Sequence, residues 1–380
     1  MKSRILSLMA LTILASCSSS NDTPQAQEVF EVDSMPNSDM NHSTAIRPEL
    51  IYPQEKYFQN MRQLTFGGDN AEAYWSFDNT KMTFQVTNPM WGVECDQIYW
   101  LDVDNYQVSD GYPHRVSTGG GRTTCAYFMP GDTSILFAST HLHGNECPPE
   151  PDKSDGYVWP IYPTFDIFVH DLKGGFVHRL TDREGYDAEA TVSPKGDKIV
   201  FTSDRSGDLE LWTMNIDGSD KRQVTSGLGY DGGAFFSPCG TKLVFRASRP
   251  KTPEAQSQYK ELLAKGLVKP SDMEIYVCNV DGSNLRQVTN LGGANWAPYY
   301  HPSGEKILFS SNHHTERGFP FNIFMINEDG TDLQQITFDN AFDAFPMFSF
   351  DGKRLLFSSN RFNGGTRETN VFVVDWVENQ

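Results

Sequence analysis

The chain has 380 residues, 38% apolar and 13% aromatic, with 31 Lys and Arg against 49 Asp and Glu for a formal charge of −18. An acidic chain without a basic stripe is not built for nucleic acid, and it repels anionic polymers unless a local basic pocket or a metal ion intervenes. Past the N-terminus, no apolar run is long enough to cross a bilayer as a helix.

Lys2 and Arg4 precede a short apolar stretch, Ile5 to Leu14, and then Ala15-Ser16-Cys17. A basic start, a short apolar core and small residues before a Cys have the form of a bacterial lipoprotein signal. This predicts a signal peptide over 1–16, a lipid on Cys17 and anchoring in the cell envelope, on its periplasmic side or at the outer membrane. Residues 17–49 are rich in Ser, Asn, Asp, Gln and Pro and read as a flexible tether. Residues 50–380 carry the folded domain.

Within that domain one phrase recurs. A Leu-Thr or Val-Thr pair is followed by a spacer, a Ser-Pro-x-Gly turn and an apolar strand containing Phe. The clearest copy runs Arg179-Leu180-Thr181, Ser193-Pro194-Lys195-Gly196, Ile199-Val200-Phe201-Thr202-Ser203, Leu211-Trp212-Thr213-Met214 and Asp217-Gly218. A unit of ~40–50 residues made of short strands and turns is a β-propeller blade. The turn has six versions, beginning at Ser76, Met129, Ser193, Ser237, His301 and Ser349. Pro presets the turn and Gly or Asn takes its positive φ. The recurring Phe is expected to pack between blades.

After Val371 to Trp376 the last blade has no outer strand, whereas Met61-Arg62-Gln63-Leu64-Thr65 is an outer-strand phrase with no blade before it. The fold class is therefore all-β, a six-bladed propeller closed by an N-terminal strand that completes the last blade. Two insertions interrupt the spacing. One, His143 to Pro163, is Pro-rich and aromatic; the other, Thr252 to Pro270, holds a short helix over Glu254 to Lys265. They either decorate the rim or shape one side of a binding surface. Cys95, Cys125 and Cys147 fall in the first two blades, and a disulfide among them is expected. Cys278 reads as buried and Cys239 as exposed in a turn.

These phrases resemble the propeller repeats of the periplasmic Tol-associated TolB family, over roughly Arg62 to Trp376. The resemblance implies a binding propeller in the envelope. TolB itself carries an α/β domain ahead of its propeller, and here a polar tether stands in that place. Prolyl oligopeptidase relatives pair such propellers with an α/β-hydrolase domain, but no Gly-x-Ser-x-Gly occurs here.

Polar residues at equivalent repeat positions cluster at one mouth of a propeller. Before the inner strands stand Glu72, Arg122, Asp187, Glu189, Asp231, Asn295 and Asp343; after the second strands stand His141, His143, Arg205, Arg246, Arg249, His313, His314 and Arg361. Glu72, Arg122, Asp187, Glu189, Arg205, Asp231, Arg246 and Arg361 are the candidate ligand-binding set. Arginines there would recognise a peptide terminus or an acidic sugar, or would bridge neighbouring blades. His141, His143, His313 and His314 are candidate ligands for a divalent metal, an arrangement similar to oligogalacturonate lyases. Two functions follow. The first is an anchored lipoprotein that binds an envelope protein, peptide or small ligand without catalysis or cofactor. The second is a metal-dependent lyase or hydrolase of acidic polysaccharide.

Overall fold

Each turn motif closes a hairpin by the same bonds. Ser193 N–H donates to the Lys198 carbonyl and Gly196 N–H to the Ser193 carbonyl, and the pattern repeats from Ser76, Met129, Ser237, His301 and Ser349. The fourth turn residue takes φ between 55° and 74° at Asn79, Asp132, Gly196, Gly240, Gly304 and Gly352, a conformation that Gly, Asn and Asp tolerate. The computed structural model describes residues 43–378 except Asp155 and Arg317. The signal segment, Cys17 and the tether up to residue 42 lie outside the described residues.

Six four-stranded antiparallel sheets follow one another, and the sixth combines Asp343–Phe348, Arg354–Ser359 and Asn370–Trp376 with the N-terminal strand Phe58–Gln63. Gln63 pairs with Phe372 and Arg62 with Val373, and Leu64 N–H donates to the Val371 carbonyl. The ring closes as the repeats predict, with the first strand of the chain in the last blade. The helix spans Pro253–Leu263 behind the cap Thr252, whose hydroxyl accepts from Ala255 N–H.

The recurring Thr has a physical role that explains the phrase. The hydroxyl of this Thr, or of Ser117 in the first blade, accepts from the backbone N–H of an apolar residue of the third strand in its blade. The six pairs are Thr65 with Val371, Ser117 with Ile98, Thr181 with Ile167, Thr225 with Leu211, Thr289 with Ile275 and Thr337 with Ile323, at 2.8–3.0 Å. In five blades the same hydroxyl donates to the acid or amide just before that residue, as Thr225 does to Glu210 at 2.7 Å. The outermost strand is short, and this side-chain bridge extends its ladder by one rung. The recurring Phe residues, Phe84, Phe137, Phe201, Phe245, Phe309 and Phe357, are all fully buried. Phe137 packs with Ile98 of the preceding blade, Phe245 with Val200, and Phe357 with Leu308.

Packing begins ahead of residue 50. Thr44 is buried and donates to the Tyr106 carbonyl, and Arg47 N–H donates to the Met61 carbonyl. Glu55 then enters the interior. Arg361, with a side chain wholly withdrawn from solvent, holds Glu55 Oε1 at 2.9 Å, Asp343 Oδ2 at 2.9 Å and the Leu50 carbonyl at 3.0 Å. Arg361 thus sits at the ring closure, with its side chain buried among these partners. Removing it strands two buried carboxylates. Arg361→Met is expected to lower unfolding stability by about 3–5 kcal/mol, read by urea denaturation. A loss under about 1 kcal/mol, the range of exposed ion pairs, would contradict the assignment.

Candidate functional site: an axial cavity ringed by six bulges

Every inner strand breaks register once. The slips fall between Ala71 and Tyr74, Thr124 and Tyr127, Ala188 and Thr191, Gly232 and Phe235, Trp296 and Tyr299, and Ala344 and Met347. At each slip one residue takes a left-handed backbone: Glu72, Cys125, Glu189, Gly233, Ala297 and Phe345, with φ from 45° to 58°. A bulge re-aims its side chain out of the pleat. All six residues line one cavity of about 940 Å³ where the inner strands converge. Just beyond the bulges, rings close the axis as a floor. Tyr74 lies 5.6 Å from Phe235 and 5.8 Å from Tyr127, and Phe235 lies 5.2 Å from Tyr299.

The two insertions meet over this cavity. Trp159–Pro160 pairs with Leu267–Val268 as a two-stranded strap, and Ile161 N–H donates to the Gly266 carbonyl. A disulfide between Cys95 and Cys147, with Cα atoms 5.9 Å apart, ties the first insertion to the third strand of the first blade. Cys125 stays a thiol in the cavity wall, Cys239 is exposed and Cys278 is buried. Both insertions supply lining: Tyr157, Trp159 and Tyr162 from one, Lys269 and Pro270 from the other, with Ser271 and Asp272 just beyond it. Trp159 stands edge-on to Trp296 at 6.4 Å. Trp296, Phe319, Phe321, Phe342 and Phe345 make the facing wall.

Four of the eight candidate ligand residues line the cavity: Glu72, Arg122, Glu189 and Arg246. Arg246 is buried between the rings of Trp159 and Tyr230, 5.2 and 5.1 Å from their centroids. It bonds Glu189 Oε1 and the Tyr230 hydroxyl. Glu189 also accepts from Thr202 Oγ1 at 2.7 Å and Gly233 N–H at 2.9 Å. Burial opposes ionisation of Glu189, but the Arg246 charge and these donors outweigh it, and its carboxyl falls below the usual range. Gly233 leaves room for this guanidinium, since a Cβ there would fall 1.8 Å from Arg246 Nη1 and displace it. Glu72 differs. Its Oε2 accepts from the Cys125 thiol at 2.9 Å and faces the Tyr74 hydroxyl at 3.4 Å. Burial, then the Glu189 charge among its neighbours, pushes its carboxyl up.

The other four lie outside the lining. Arg205 holds both Asp187 oxygens, at 2.8 and 2.7 Å, and lies over the Trp212 ring. Asp231 is held by both terminal nitrogens of Arg249. Arg361 serves the closure. The reason is register. Asp187 is paired with Ser203, so an Arg two residues past Ser203 folds back onto its own blade. These are seam residues. The histidines occupy the same slot. His141 Nδ1 meets Ser139 Oγ at 2.9 Å and His313 Nδ1 meets Ser311 Oγ at 2.7 Å, just as Arg205 Nε meets Ser203 Oγ and Arg361 Nε meets Ser359 Oγ. Their rings rest on Phe168 and Phe324. His314 Nε2 meets Asn322 Oδ1 at 3.0 Å, and His143 is exposed. None of the four lines the cavity. Among the described residues no three His, Cys, Asp or Glu side chains converge to hold a metal, so the convergence expected of the two His pairs is not formed there.

Fold and cavity together define a closed six-bladed propeller with a strap-covered axial chamber. The model of the TolB β-propeller domain matches residues 163–267 and 267–376, and the chain belongs to that family. An uncharacterized protein of Agrobacterium fabrum is 39% identical over 70 residues, 18% of this chain and 24% of that protein. The Tol-Pal system protein TolB of Bordetella pertussis is 38% identical over 55 residues, 14% of this chain and 13% of that protein. The chain thus matches a quarter or less of these relatives' length. A structure from Agrobacterium tumefaciens, solved as a TolB candidate, superposes with a TM-score of 0.53 at 17% identity, covering 82% of this chain and 91% of the other. An oligogalacturonate lyase from Vibrio parahaemolyticus gives 0.51 at 13% identity, covering 83% and 80%. At such identities the likeness is one of fold.

One seam pair makes stability depend on pH. Glu210, buried at the head of a third strand, meets Asp231 of the next blade. Burial first, and the Asp231 charge second, push its carboxyl from 4.5 up to about 8. The folded state therefore keeps a proton that the unfolded chain releases. The stability this confers is complete below the unfolded value and is lost as pH rises through the folded one. Urea midpoints of the wild type are expected to fall between about pH 5.5 and 8.5, with a shallower fall in Glu210→Gln. Parallel curves would refute the assignment.

Proposed function

We propose that this chain is a binding propeller of the bacterial envelope, anchored through a lipid on Cys17, whose axial cavity receives a protein segment, a peptide or a small ligand. The observation that carries the reading is the cavity itself. It is concave, about 940 Å³, and walled by aromatic rings from the first insertion and from the blades, which is the form of a ligand site. Glu189 with Arg246, and Asp96 with Arg122 at 3.4 Å, are internally paired, so the lining offers rings and a few fixed polar groups. A rigid ring presenting such a chamber suits recognition, and the family supports an envelope setting.

Ligand-observed NMR against a panel of aromatic amines, aromatic alcohols and sugars tests the cavity. Hits are expected to weaken by about ten-fold or more in Trp159→Ala and Trp296→Ala, the loss typical of a buried aromatic anchor, and to be unchanged in His143→Ala. Equal binding by all variants would place the ligand elsewhere. The anchor is tested separately. Cys17→Ala is expected to move the protein from the membrane fraction to the soluble fraction and to abolish labelling by a clickable palmitate analogue. Retained labelling would remove the lipid from the proposal.

A further inference from the structure

The charge inventory of the cavity points to the kind of ligand it selects. Its interior arginines are already matched, Arg246 by Glu189 and Arg122 by Asp96 and Glu150. Lys269, Asp272 and Arg367 are exposed at the rim, where solvent and salt screen them. Glu72 is the exception. It projects from a bulge on the first inner strand into the chamber, and among the described residues no Lys, Arg or His forms an ion pair with it. Its polar neighbours are a thiol and a phenol, groups that neutralise no charge. Burial is the largest influence on this carboxyl and pushes it up, and the charge of Arg246, already held by Glu189, opposes that without reversing it.

The chamber that Glu72 enters is lined with rings that attract cations. Tyr74 and Phe235 form the floor, Trp159 and Trp296 stand in the walls, and Phe345 closes one side. The faces of such rings carry negative potential and favour ammonium or guanidinium groups. The chain as a whole is strongly acidic, with a formal charge of −18, which draws cations and repels anions. A chamber of about 940 Å³ holds far more than a bare ion.

From this juxtaposition we infer that the axial cavity selects an organic cation, an ammonium borne on an apolar or aromatic body, with its charged head on Glu72 and its body against the rings. The inference rests on the proposed reading of the cavity as the binding site and reverses the polarity read from the sequence. The arginines that suggested an anionic ligand are consumed by the protein's own acids, and the group left over is a carboxyl.

The test uses three probes of one shape on the full chain: 2-phenylethylamine as the cation, 2-phenylethanol as the neutral body and phenylacetate as the anion. Calorimetry at low salt is expected to rank the amine tightest and the anion weakest. Glu72→Gln, isosteric at this position, is expected to weaken the amine by about ten-fold or more, as for truncation of one partner of a buried charge pair, and to leave the alcohol unchanged. The wild-type ranking needs no variant, so it stands as a test even if Glu72→Gln folds poorly. An alcohol that binds as tightly as the amine, with Trp159→Ala weakening both, sinks the cation inference and leaves the cavity as the site. An amine preference that persists in folded Glu72→Gln sinks the role of Glu72. Failure of all three probes sinks the inference and counts against the cavity.

Discussion

The structure depends on a pairing between segments more than 300 residues apart. Phe58–Gln63 lies along Asn370–Trp376, and without it the sixth sheet would present an open strand edge and the ring a gap. Backbone bonds alone would leave that joint no stronger than any other outer strand. Its reinforcement is electrostatic. Arg361, from the sixth blade, reaches Leu50 and Glu55 of the N-terminal segment together with Asp343 of its own inner strand. Burial of a guanidinium between two carboxylates is unforgiving when any partner is missing. The N-terminal segment therefore has one docked position, and the axial geometry inherits its precision from that docking.

Repetition then acts at two levels. The seam level uses the same slot in five of the six blades: an acid, amide or Thr opening the inner strand, a Ser closing the second strand, and an Arg or His folding back over both. The axial level uses the bulge, where the six residues are all different. Glu72, Cys125, Glu189, Gly233, Ala297 and Phe345 share a backbone conformation and no chemistry. Uniform seams hold the ring, and divergent bulges give the chamber its character. A ring of identical bulges would be symmetric and would select nothing with a front and a back.

This division explains what could be read before the fold was known. Blade number, the closing strand, the turn motifs and the two insertions are all carried by local patterns with strong steric causes. The Cys95–Cys147 bridge was legible only as one choice among three cysteines. The seam is not legible in the sequence, because charged residues near a mouth look alike whether they face the axis or their own blade. Register decides that, and register follows from pairing partners such as Asp187 with Ser203. The bulges were the harder loss. Alternation fails at each of them by one residue, as in Ala71-Glu72-Ala73-Tyr74, and a single slip is invisible against the ordinary noise of short strands. Glu72 and Glu189 were singled out for their charge; Ala297 and Phe345 carry no charge and were not.

The pairing of acids and arginines also orders the energetics of the chamber. Where an Arg meets its acid, as at Glu189, the carboxyl is ionised despite burial, because the guanidinium, a phenol, a hydroxyl and a backbone amide all converge on it. Where a thiol and a phenol are the hydrogen-bonding neighbours and Arg246 acts only through space, as at Glu72, burial prevails and the carboxyl holds its proton more tightly. The two acids occupy equivalent bulges in alternate blades, so backbone position cannot account for the difference. Arg246 accounts for it. It rises from a second strand beside Gly233, the one bulge without a side chain, and the space that Gly233 leaves lets its guanidinium turn toward Glu189. The acid that Arg246 reaches is matched from within, and Glu72 has no ion-pair partner among the described residues.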